Sequence, residues 1–201
     1  MEIYNKFSDA EIDKLLKENL VILHDTREQV NQHVLDYFDR NKIAHKMKKI
    51  DEGDYTAIIS KCPAKGIYRD LYFKVAVERK NGVDEFVGNL CEKTDSRDDI
   101  RLIRELERAK HKGIMMFLVI EDKDCKEKIE QGKYRSGFEP HAVMGRLSSI
   151  EVRFLCGTEY VNKENTGKEI YRKLKYAVRY FLGRGEFDIS PEEIDPMGID
   201  I

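Results

Sequence analysis

Short apolar runs alternate with helix-period segments along this 201-residue chain, and that alternation limits the possible folds more than any other feature. Leu20–Leu23 is a continuous apolar run ending in His24-Asp25, the pattern of a buried strand. His45–Ile50 and Tyr55–Ser60 read as strands separated by Asp51-Glu52-Gly53-Asp54. Tyr72–Glu78 alternates Phe73, Val75 and Val77 with Lys74, Ala76 and Glu78, the period of a pleated strand. Ile114–Ile120 and Leu155–Val161 complete the strand-like set. Helical segments fall between them. Ser8-Asp9-Ala10-Glu11 has capping-box form ahead of Ile12, Leu15 and Leu16. Thr26 can cap a helix with Val30, Val34 and Phe38 on one face. Asp98–Lys112, Asp122–Gln131, Ala142–Phe154 and Thr166–Leu182 also read as helices, and Gly132–Pro140 as a polar loop. Such a sequence predicts an α/β domain with a mixed sheet, including a hairpin, between helical layers.

The length suits one domain over residues 1–185, with residues 186–201 as an acidic C-terminal tail. That tail carries six acidic side chains and no basic one, so the overall net charge of −2 hides a body at +4. No run approaches the roughly 18 apolar residues that span a bilayer, and the N-terminus lacks the apolar core of a signal peptide. A cytoplasmic location is therefore expected. Cys62, Cys91, Cys125 and Cys156 form no close pair of the kind structural zinc sites use, so reduced thiols are expected. His24 reads as a strand-end core histidine rather than a ligand.

The chemistry concentrates in Val77-Glu78-Arg79-Lys80. Alternate strand side chains share a face, so Glu78 and Lys80 project together. Hairpin pairing can bring Asp54 beside Glu78, and Asp25, at the end of another apolar strand, is expected at the same sheet edge. Hard oxygen donors of this kind suit Mg²⁺ or Mn²⁺. Alone, a Glu-x-Lys triplet carries little weight in a chain with 37% charged residues, where a solvent-facing strand gives the same pattern.

Taken together, Asp25-Thr26-Arg27-Glu28, Gly53-Asp54 and Glu78-Arg79-Lys80 with Asp84 four residues on resemble the XPF-type nuclease family. Its hallmark is a Gly-Asp pair followed at a distance by Glu-Arg-Lys-x-x-x-Asp. The resemblance runs from about Val21 to Asp122 and continues more faintly to Leu182. It implies a restriction-endonuclease-like α/β/α sandwich and metal-dependent cutting of DNA at branches, flaps or junctions. It further implies Asp25, Asp54 and Glu78 as metal carboxylates, Lys80 as the catalytic lysine and Asp84 as a supporting acid. Arg79 would make a salt bridge or steer phosphate, and Arg27 and Glu28 would stand behind the carboxylates. A homodimer is a further family expectation. Two departures are visible. The tandem helix-hairpin-helix motifs of many relatives are replaced by the acidic tail, and the family's Gly-Arg pair has only Arg97 or Arg101 as equivalents. For the DNA grip, Arg172, Lys175 and Arg179 recur at helical spacing within the basic stretch Lys163–Arg184, as phosphate contacts or as a merely solvated face. The competing functional readings are an idle DNA-binding or scaffolding module of the same fold and a restriction-type nuclease.

Overall fold

The computed structural model describes residues 7–91 and 101–187. In chain order the elements are α1 (Asp9–Glu18), β1 (Leu20–His24), α2 (Gln32–Arg40), β2 (His45–Met47), β3 (Tyr55–Ile59), β4 (Leu71–Tyr72), β5 (Val75–Lys80) and α3 (Val83–Cys91). Then follow α4 (Arg101–His111), β6 (Met115–Ile120), α5 (Cys125–Glu130), α6 (Pro140–Phe154), β7 (Leu155–Tyr160) and α7 (Thr166–Arg184). The capping box forms as expected: the Ser8 side chain accepts from the Glu11 N–H, and the Ser8 N–H donates to the Glu11 carboxylate at 2.8 Å.

Seven strands make one mixed sheet in the order β2-β1-β3-β5-β6-β7, with β4 on β3. Strand β3 runs antiparallel to both β1 and β5, whereas β5, β6 and β7 are mutually parallel. Helices α1, α2 and α7 cover one face over a core that includes Leu15, Phe38, Val77 and Leu174. Helices α3 to α6 cover the other over Ala76, Phe86, Leu118 and Leu147. This is the sandwich of helical layers on a mixed sheet.

The structure corrects several local expectations. The alternation around Tyr72–Glu78 does not separate a wet from a dry face. Lys74 precedes β5, and all six β5 residues are buried, because helices cover both sides of this central strand. The chain therefore buries Glu78, Arg79 and Lys80 in succession. Helix α2 starts at Gln32 rather than near Thr26, and Val30 stays outside it, 62% exposed. The Asp25 carboxylate accepts the Arg27 N–H at 2.8 Å, a side-chain turn that competes with helix initiation. Likewise β2 ends at Met47, and the Ile50 N–H donates to Asp25 at 2.6 Å. Phe187 packs near Phe7 and Phe73, with ring centroids 6.4 Å from each, so core packing reaches into the stretch expected to be tail. The remainder of that tail, and Arg97, lie outside the described residues.

Candidate active site

The β3–β5 pairing builds the site. Tyr55 registers with Val77, and one residue earlier the Asp54 N–H donates to the Val77 carbonyl at 2.9 Å. The Arg79 N–H returns a bond to Asp54 Oδ2 at 2.8 Å, which fixes that carboxylate beside the polar end of β5. Gly53 is required for this approach. Its φ is +82°, and a Cβ there would lie 2.9 Å from Ala76 Cβ and 3.2 Å from the Val77 oxygen.

Glu78 and Lys80 share the face of β5 that looks toward α3 and α4. Lys80 Nζ donates to Glu78 Oε1 at 2.7 Å and to Asn89 Oδ1 at 3.2 Å. With Asp54, Glu105, Arg101 and Arg108 they line a cleft of about 280 Å³. Burial, and then the Glu78 charge, push the Asp54 carboxyl well above the usual carboxylate range. Burial also raises Glu78. The Lys80 ammonium opposes that rise without cancelling it, and Glu105 adds to it. Lys80 is pulled two ways. Burial disfavours its charge, but Glu78 and then Asp54 outweigh that and hold the amine protonated. The result is two carboxylates gathered at a cost around one ammonium. Among the described residues no cluster of three or more His, Cys, Asp or Glu is arranged to hold a metal ion. Asp54 and Glu78 are hard oxygen donors that repel each other, and a divalent cation between them would relieve that repulsion.

Arg79 points the other way. Its guanidinium is buried, with Nη2 2.5 Å from Glu28 Oε1 and Nη1 3.1 Å from Glu121 Oε1. Of the two roles expected for it, the salt bridge is what the geometry presents. Glu28, paired to Arg79, and Arg27 both line the cleft beside the Asp54–Glu78 pair.

Other expected residues do not meet in the cleft. Asp25 is 1% exposed, and its two oxygens accept from the Arg27 main chain and side chain and from the Ile50 N–H. These bonds hold its carboxyl below the usual range against the opposing effect of burial. It ties the Arg27 turn to the segment before Gly53 and is not brought up as a third ligand. Asp84, in the first turn of α3, accepts the Arg135 N–H at 2.8 Å and lines a separate concavity with Asn81, Asp122 and Lys128. Arg172, Lys175 and Arg179 sit on α7, in the opposite helical layer. Arg172 is held by Glu159 and Glu169, Arg179 by Asp13 and Asp9, and Lys175 lies 5.7 Å from the Tyr171 ring centre. The expectation of one free basic face is corrected by these pairings.

Sequence reasoning missed Glu52, Asn89, Glu105 and Arg108. Glu52, only 3% exposed on its side chain, is gripped by Arg108 of α4 and by Lys112 in the turn just after it, each reaching Glu52 Oε1 at 3.1 Å. The grip fastens the Asp54 loop to that helix. A signal existed. Leu102, Leu106 and Ala109 mark the buried face of α4, which leaves Arg101, Glu105, Arg108 and Lys112 together on the other.

A model of the ERCC4 domain family matches residues 24–174, which includes every residue of this cleft. The chain belongs to the ERCC4 domain family. The ERCC4 match agrees with the XPF-type nuclease domain expected from Gly53-Asp54 and Glu78-Arg79-Lys80. The fold is similar to that of XPF from Aeropyrum pernix, with a TM-score of 0.54 and 15% identity over 77% of this chain. The similarity spans 65% of that chain. No curated protein matches. Among the described residues no helix is long and apolar enough to cross a membrane.

Proposed function

We propose that this ERCC4 domain is a metal-dependent endonuclease that hydrolyses DNA phosphodiester bonds at branched, flap or junction structures. One observation carries the reading: half-buried Asp54 and buried Glu78 are set side by side and raised toward protonation, with Lys80 hydrogen-bonded between α3 and the Glu78 carboxylate. A fold gains no stability from crowding two carboxylates, and such perturbed groups cluster where chemistry is done.

Asp54 and Glu78 would hold Mg²⁺ or Mn²⁺, which supplies charge neutralisation at the phosphate and a more acidic water. The protein's own residues do the rest. Lys80 keeps its proton and places positive charge where negative charge grows on the phosphoryl oxygens. Asn89 and Glu78 orient that amine. The Arg79 N–H holds Asp54 so that its second oxygen is aimed at the cleft. Glu28 lines the cleft, paired to Arg79, and Asp25 and Arg27 stiffen the loop above. Asp84 acts from the neighbouring concavity as a support for α3. For DNA, Arg101, exposed on the rim and among the described residues paired only to Glu105 of its own helix at 3.2 Å, is the phosphate contact. The paired α7 cations Arg172, Lys175 and Arg179 supply a secondary, weaker contact. A second copy of the chain as partner is part of the same reading, as is a cytoplasmic setting.

The test is direct. Purified protein is incubated with labelled flap, fork, junction and plain duplex DNA, with Mg²⁺, with Mn²⁺ and with chelator. Metal-dependent cuts near a branch support the reading. Intact DNA in every arm defeats it and favours an idle DNA-binding module.

A further inference from the structure

The polar end of β5 is gripped from behind as well as in front. Glu121 follows β6 directly, and its N–H donates to the Lys80 carbonyl at 2.8 Å. Its side chain is 1% exposed, and Oε1 meets both Arg79 Nη1 at 3.1 Å and His33 Nε2 at 2.5 Å. None of the sequence motifs singled it out. The cleft reading does not use it either.

Its geometry bears on the cleft nonetheless. Arg79 is the residue between Glu78 and Lys80, and its N–H is the bond that holds Asp54. A guanidinium is a rigid plane, so contacts at two nitrogens fix its orientation where one contact leaves a hinge. Glu28 accepts a hydrogen bond from Nη2, and Glu121 Oε1 holds Nη1 as a buried ion pair at 3.1 Å, without an aligned hydrogen bond. Side chains alternate along a strand, so any roll of residue 79 swings Glu78 and Lys80 on the opposite face. It also displaces the N–H that Asp54 accepts.

We propose that Glu121 is a positioning residue for this cleft, fixing the Arg79 plane and through it the aim of Asp54, Glu78 and Lys80. Only the activity arm of its test rests on the nuclease reading. The competing role is a tether for α2 through His33, and the two roles predict different mutant patterns.

The experiment compares wild type, Glu121→Gln, Arg79→Met, the double variant and His33→Ala in the full chain. The first readout needs no metal or DNA: the ¹³C side-chain carboxyl resonance of Asp54, with thermal melting to establish that each variant is folded. The second is Mn²⁺ binding by calorimetry, and the third is cleavage of branched DNA. Glu121→Gln should shift the Asp54 resonance and weaken Mn²⁺ about tenfold, the usual scale for a residue behind the ligands. Cleavage should fall in kcat with KM for DNA unchanged. In the Arg79→Met background the same substitution should add nothing, because the two residues act as one unit. His33→Ala should leave the Asp54 resonance in place. Equal losses from Glu121→Gln in both backgrounds, or the same shift from His33→Ala, overturn the proposal. Should Glu121→Gln fail to fold, Glu121→Asp serves: one methylene short of Arg79, it should move the Asp54 resonance in the same direction, and an unmoved resonance counts against the proposal. If wild type neither binds Mn²⁺ nor cuts DNA, the nuclease reading fails, while the Asp54 resonance still decides the role of Glu121.

Discussion

The cleft between β5 and α4 and the outer face of α7 are both dense in charge, yet they handle charge in opposite ways. On α7, Arg172 and Arg179 each sit against two acids, all partly or well exposed. Both arginines have opposite neighbours, and solvent screens what is left. In the cleft, burial pushes both Asp54 and Glu78 up, the Glu78 charge adds to the rise of Asp54 and Glu105 to that of Glu78, with one ammonium, Lys80, to oppose them. Local satisfaction on α7 is what a stable surface looks like. Unrelieved repulsion in a buried cleft persists only because the surrounding fold holds it in place. That contrast points to the cleft as the working region and makes α7 mainly structural.

The sharpest way to break the comparison is to remove the repulsion. Asp54→Asn and Glu78→Gln should each lower cleavage by about a thousandfold, the scale of losing a transition-state electrostatic group. Without metal, both should melt higher than wild type at neutral pH. The sign follows from the raised carboxyls. Their contribution to stability is complete below the unfolded value of about 4 and is lost as pH rises through the folded values. The melting advantage of Asp54→Asn over wild type should therefore grow from pH 4 to pH 8. A variant that cuts DNA like wild type, or that melts lower across that range, removes the distinction between the two regions.

Lys80→Met comes next, with cleavage down about a hundredfold and DNA affinity nearly unchanged, since its charge matters as the transition state forms. Fluorescence-anisotropy binding beside single-turnover cleavage separates the two effects. Parallel losses would make Lys80 an ordinary phosphate contact. A third comparison concerns stability alone. Arg108→Ala with Lys112→Ala strands the buried Glu52 carboxylate and should cost about 3 kcal/mol in urea denaturation. Arg172→Ala with Arg179→Ala breaks only surface pairs and should cost less than about 1 kcal/mol. Similar costs would mean that the α7 pairs are not the weak, screened contacts described here.

The smallest expected effect is in salt dependence. Neutralising Arg101 should reduce the slope of log affinity against log salt by about 1, the scale of one phosphate contact. Neutralising Arg172, Lys175 and Arg179 should change it by less than about 0.5. A larger change from α7 would restore that helix as the principal DNA-holding face.

Much of this was legible beforehand because local patterns carry it. The capping box at Ser8, the apolar run before Asp25 and the helical period of Ile12, Leu15 and Leu16 follow from side-chain period and hydrogen-bonding capacity, which are properties of short segments. The Gly53-Asp54 pair was legible through the family resemblance, and the structure supplied its reason: only a glycine tolerates both that φ and the contact with Ala76. What a short segment cannot reveal is which neighbour arrives. Asp25 and Asp54 look alike at the ends of apolar strands. Only the fold showed that Arg27 and Ile50 consume the oxygens of Asp25 while Asp54 faces the cleft.

By itself, the sequence determined the alternating α/β architecture, because strand and helix periods are local constraints, and its resemblance to the XPF-type family singled out Asp54, Glu78 and Lys80 as candidates. Tertiary structure alone decided that β5 is dry on both faces, that Arg79 turns away toward Glu28 and Glu121, and that α4 supplies Glu105 and the grip on Glu52. It also decided that Arg172 and Arg179 of α7 are already paired with acids. The physical reason is common to all four outcomes: the energy of a charge depends on burial and on partners brought from distant parts of the chain, and neither is encoded within one segment.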